Sequence, residues 1–192
     1  MALENQRYGR NKSTLVNKTY IDSGEYKRKF DNATDNPKVN KALYDSAKAA
    51  LKHRSGTEFE DMYWIDGITG EVILAVTDSS KKRSIVYSDK IKSTISKNDN
   101  IVTLHTHPSS MPPSIEDFNS CCSNGYKMGY VACHNGKVFE YSSEQIISDV
   151  LYNLSIAKYV KTGFSEYEAQ VKTLEEFQKN YIIHFKEVTS DA

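Results

Sequence analysis

The stretch Ile101-Val102-Thr103-Leu104-His105-Thr106-His107-Pro108-Ser109-Ser110-Met111-Pro112-Pro113-Ser114-Ile115-Glu116-Asp117 decides how this chain is read. Its first four residues have the apolar, β-branched composition of a short buried strand. His105 and His107 take alternate positions at the strand's end. Strand side chains repeat every second residue, so both imidazoles face one side. Pro108 cannot donate to a ladder and ends the strand. Pro112 and Pro113 stiffen the loop, and Ser114 is an N-cap that opens a helix with Asp117 in its first turn. A carboxylate there lies near the end of the strand. It completes three protein ligands for a zinc ion and leaves the fourth position for water, the mark of a catalytic rather than a structural zinc. An isolated His-x-His is more often incidental, and Ser-x-x-Asp alone is an ordinary cap with an acidic residue favouring the helix dipole. The ordered combination of the two carries the metal reading.

Working outward, the 192 residues allow one domain with helical extensions, and 39% hydrophobic content with 13 Tyr allows a buried, partly amphipathic core. The 25 basic and 25 acidic residues balance, which gives no electrostatic argument for nucleic acid or an anionic membrane as partner. No apolar run is long enough to span a bilayer, and the polar N-terminus does not resemble a signal peptide. Three Cys, two of them adjacent, argue against a disulfide framework and suit a reducing, cytoplasmic setting.

Residues 1–35 read as a polar, loosely ordered arm, packed in places by Tyr20, Ile21, Tyr26 and Phe30. Asn36 then caps a helix with Pro37 at its first position. Val39, Leu43, Ala47, Ala50 and Leu51 recur along it at helical spacing, and Gly56 closes it. Residues 59–65 and 71–76 read as a hairpin about the turn at Asp66-Gly67, with residues 84–87 as a third strand and a short helix through Ile91 and Ile95. The helix from Ser114 runs to about Asn124, with Gly125 as its stop. Residues 130–133 and 137–141 form a hairpin about Asn135-Gly136. A helix beginning at Ser142, with Gln145 in the capping-box position, presents Ile147, Val150, Leu151 and Leu154 on one face. A second helix, from Ser165 with Glu168 in the same role, follows Gly163 and makes an antiparallel hairpin with the first. The expectation is an α+β fold: an arm over residues 1–35, a mixed sheet flanked by helices over 36–141, and a helical extension over 142–192.

The segment from His105 to Asp117 resembles the JAMM signature of the JAB/MPN metallopeptidase-like family, His-x-His-Pro, a short spacer, then Ser-x-x-Asp. It is most similar to the RadC-like branch and related phage-associated domains, over roughly residues 37–141, with a spacer slightly shorter than the commonest form. The resemblance implies a JAB/MPN-like (cytidine-deaminase-like) fold and zinc held by His105, His107 and Asp117. It assigns Ser114 to the tetrahedral intermediate or the catalytic water. It also implies a general-base glutamate after the first long helix. Glu58 and Glu60 both stand in that region, and on a strand they would share a face, so parity does not choose. Matching the RadC-like pattern favours Glu58, the preferred candidate, and the eukaryotic MPN spacing favours Glu60.

The activity implied is hydrolysis of a peptide or isopeptide bond in a protein substrate, with a ubiquitin-like or a phage or bacterial protein as partner. Two other readings stand beside it: a catalytically silent scaffold module of the same fold, and a RadC-like role in DNA or mobile-element biology. Elsewhere, His134 reads as a turn residue, His53 as a favourable charge at a helix C-terminus, and His184 as a tail residue without a partner pattern. Cys121, Cys122 and Cys133 read as packing residues.

Overall fold

The computed structural model describes residues 11–181 and 183–190, so residues 1–10 of the expected arm lie outside it. A 3-10 turn at Lys12–Thr14 leads into α1 (Lys18–Ile21), α2 (Gly24–Asp31) and α3 (Pro37–Arg54). β1 (Met62–Asp66), β2 (Val72–Val76) and α4 (Asp89–Ile95) follow, then β3 (Ile101–His107), α5 (Ile115–Ser123), β4 (Met128–Cys133) and β5 (Val138–Ser143). The chain closes with α6 (Asp149–Lys161), α7 (Glu166–Asn180) and β6 (Ile183–Glu187). The strands form one mixed sheet in the order β2-β1-β3-β4-β5-β6. Every neighbouring pair is antiparallel except β3 with β4. A parallel pair needs a crossover, and α5 supplies it.

β3 is buried along its whole length. Its alternation feeds two apolar layers. Val102 and Leu104 join Tyr26, Phe30, Leu43 and Leu51 under α2 and α3. Ile101 joins Trp64, Phe118, Tyr152 and Leu174 under α5, α6 and α7. The first twenty described residues are more structured than a loose arm. Asn11, Asn17 and Ser23 each cap a short helical segment, and Ile21, Tyr26 and Phe30 are buried.

Three other expectations change. The strand expected at residues 59–65 starts at Met62, because the preceding segment is tied elsewhere: Phe59 bridges to Lys82, and Asp61 exchanges hydrogen bonds with Thr106. Residues 84–87 form no strand. Arg83 has φ +52°, and the Ser79 hydroxyl donates to the carbonyl of Ser84, so the chain turns there rather than extending. The helix expected from Ser142 begins at Asp149. β5 continues to Ser143 because β6 pairs with it, and the Ser143 hydroxyl donates to Gln145 O in a turn. β6 itself, with Ile183 and Phe185 alternating with polar residues, was not expected. The helix from Ser165 has its full capping box, and α6 and α7 pack as a hairpin through Tyr152 on Phe177 and Tyr159 on Glu176. Among the described residues no helix is long and apolar enough to cross a membrane.

Candidate metal centre

His105 and His107 leave the C-terminal end of β3 on the face that α5 covers, beside the parallel partner β4. Crevices at the carboxyl ends of parallel strands, next to a helix N-terminus, are where such sheets bind ligands. Asp117 sits in the first turn of α5, within the capping box of Ser114. The two Nε2 atoms are 3.0 Å apart; His105 Nε2 lies 3.2 Å from Asp117 Oδ1, and His107 Nε2 lies 3.4 Å from Asp117 Oδ2. Ligands around a tetrahedral ion at about 2.0–2.1 Å stand about 3.3 Å from one another, so the three donor atoms are already spaced as one ion needs. The group His105, His107 and Asp117 can therefore hold a metal ion.

Neighbouring bonds orient these donors. His107 Nδ1–H donates to Met111 O at 2.9 Å, which leaves Nε2 to face the centre. Ser114 donates twice to Asp117 Oδ2, from its backbone N–H at 2.7 Å and its hydroxyl at 2.9 Å. Behind β3, Thr106 Oγ1 accepts from Asp61 N. Asp61 in turn is held in a fully buried ion pair with Arg54 and accepts from His53 Nδ1 at 2.7 Å.

Burial by itself would lower the basicity of His107 and raise the pKa of Asp117, but their mutual attraction outweighs it in both. The Asp117 carboxylate, helped by Glu60, raises His107 to about 9. The two imidazoles hold Asp117 well below the usual carboxylate range. A cation held by these donors would displace the proton that His107 otherwise carries at neutral pH.

Comparisons with family models, curated proteins and solved structures find no match.

The donors open into a cavity of about 580 Å³. Glu60 lines it and Glu58 does not, the reverse of the preference from sequence. Glu60 is buried, and burial pushes its pKa up, with His107 and His105 pulling the other way. Glu58 points outward and pairs with Lys82 and Arg83, which hold its pKa down. The two glutamates do not share a face because residues 58–60 are not a regular strand.

Several lining residues carry no local motif: Met62, Tyr87, Tyr126 and Tyr141 on the apolar side, Lys81 to Arg83 at one edge, and Gln170 from α7. They come from separate elements, and only the sheet order brings them together. Tyr141 stands edge-on to His105, ring centroids 6.2 Å apart. His134 lies in the turn after β4, as expected, and is buried there. Its Nδ1–H donates to Thr14 O at 2.6 Å, and burial lowers its pKa to about 4. His184 pairs with Glu140 at 2.9 Å across β5 and β6. The three cysteines are unpaired, and Cys121 and Cys133 are buried.

Proposed function

We propose that the protein is a zinc-dependent hydrolase of the JAMM type that cleaves a peptide or isopeptide bond. The observation that carries this reading is the convergence of His105, His107 and Asp117 donor atoms, 3.0–3.4 Å apart, in a cavity that also holds a buried glutamate. Two imidazoles and one carboxylate suit zinc, which supplies Lewis acidity toward a water and a substrate carbonyl when bound. Glu60 is the general base: its raised proton affinity suits it to take the proton of the attacking water and pass it to the leaving amine. Ser114 has one hydroxyl hydrogen, given to Asp117 at rest, which turns toward the developing oxyanion as the carbonyl is attacked. The substrate is an amide of a peptide or protein, and a ubiquitin-like or a phage or bacterial protein is the partner class that the family resemblance implies.

Metal analysis of protein purified without added metal tests the centre. Hydrolysis is then followed on internally quenched peptides and lysine isopeptides. His107→Ala is expected to lose both zinc and hydrolysis. Glu60→Gln should keep zinc and lose hydrolysis by about a hundredfold or more, whereas Glu58→Gln should keep both. Stoichiometric zinc in His107→Ala, or full hydrolysis in Glu60→Gln, would sink the reading.

A further inference from the structure

Large exposed hydrophobic side chains are concentrated on one element. Ile146 (61% exposed), Val150 (67%), Leu151 (50%), Leu154 (62%) and Val160 (42%) all lie on α6 or the turn before it. Val150, Leu154 and Ala157 follow one another at spacings of four and three, so they form one line along the helix. Tyr152, Ile156 and Tyr159 point the other way, into the core or against α7. A helix that is apolar on two faces is built to be covered on both, yet α7 covers only one. An exposed apolar line of this kind marks an interaction surface.

We propose that this face joins two copies of the chain, α6 against α6 in antiparallel orientation. The charges select that occupant. Asp149 stands at the N-terminal end of α6, and Lys158 and Lys161 stand in its last turn. Lys161 is exposed and has no ion pair among the described residues. A two-fold axis near the helix centre turns the segment end for end. It lays Leu154 of each copy against Ala157 of the other, and Val150 under the aliphatic stem of Lys161. The same rotation brings the Lys161 ammonium of each copy to Asp149 of the other, so the acidic-to-basic polarity of one helix answers itself. In a parallel pair like charges would meet at both ends. The face is held rigidly. Asn119 of α5 bonds both the N–H (2.8 Å) and the carbonyl (3.0 Å) of Ile147, just before the Ser148 cap. A single helix pair is small for a specific interface, so the dimer is weak, with Kd on the order of micromolar.

Sedimentation velocity on the full chain, from low micromolar to the highest soluble concentration, tests this. The expected result is a concentration-dependent monomer–dimer equilibrium, with Leu154→Glu monomeric throughout. Lys161→Glu should raise Kd about tenfold or more, and the double variant Asp149→Lys with Lys161→Glu should restore dimerisation by swapping both charges. Circular dichroism checks that each variant keeps its helices, since Asp149→Lys opposes the α6 dipole. A wild-type chain that stays monomeric overturns the proposal and leaves the face to a different protein. So does a dimer indifferent to Leu154→Glu, or a folded charge-swapped pair that fails to recover.

Discussion

Asp66 accepts hydrogen bonds from the backbone N–H groups of Ile68 at 2.9 Å and Thr69 at 2.7 Å, and so fixes the turn between β1 and β2. Those two bonds favour the charged form and lower its pKa. A carboxylate lowered on folding contributes stability that is complete above its unfolded pKa, about 3.9, and is lost as pH falls through the folded value. Chemical denaturation from pH 7 down to the acid limit should therefore show a shallower acid loss in Asp66→Asn, which keeps an acceptor oxygen but no titratable charge, than in the parent. Equal acid slopes in the two proteins would remove Asp66 from the account. At this scale the convergence of His105, His107 and Asp117, a group that could hold a metal ion, was legible in the sequence because they lie within one strand, one short loop and one helical turn, where local periodicity fixes direction. Which of Glu58 and Glu60 faces the cavity was not legible. It depends on Lys82 and Arg83 reaching back over a separate loop to take Glu58 outward.

Register between elements does what single residues cannot. Gly129 of β4 pairs with Tyr141 of β5, and the end of the Tyr141 ring packs over the glycine. A Cβ at position 129 would stand 2.2 Å from Tyr141 Cζ. The ring is held on its other sides by His105 and by Phe118, at 6.2 and 5.3 Å between centroids. Gly129→Ala therefore has to displace Tyr141, which packs against His105 and Phe118. The expected result is a loss of about 1–3 kcal/mol in stability, from overpacking, together with weaker metal binding. Thermal melts and metal titrations should be run beside Gly24→Ala, where the nearest atom stands at an ordinary 3.7 Å. Metal affinity unchanged in a folded Gly129→Ala would show that Tyr141 does not support His105. Elements with strong local signals were legible, such as α3 with its Asn36 cap and Pro37, or α7 with its capping box. The start of α6 was not. Ser142 and Gln145 imitate a helix start, but β6 holds Ser142 and Ser143 in the sheet and leaves Gln145 in the turn that follows, and a pairing that distant leaves no mark on local sequence.

At the scale of the molecule, the cavity draws on widely separated parts of the chain. Gln170 of α7 donates from Nε2 to Pro112 O at 3.2 Å and Pro113 O at 2.9 Å, and so ties the helical hairpin to the loop between His107 and Ser114. Gln170→Ala removes both bonds. It should cost about 1–2 kcal/mol in stability and weaken zinc binding severalfold, measured by competition with a chromophoric chelator. A variant with unchanged zinc affinity would limit α7 to packing. The mixed sheet with helices on both faces was legible as a class, but the role of α7 at the site was not. Gln170 carries no motif, and only the folded chain brings it to Pro112.

That tie also sets an order of events during biosynthesis. His105, His107 and Asp117 leave the ribosome together, inside one short segment, whereas Gln170 follows Asp117 by 53 residues, about 3–10 s at ordinary elongation rates. During that interval the nascent chain can carry its ligands and Glu60 without the brace on the loop between them. The brace forms only once translation has passed α7, so a ribosome stalled before Gln170 would display His105, His107 and Asp117 beside an unbraced cavity.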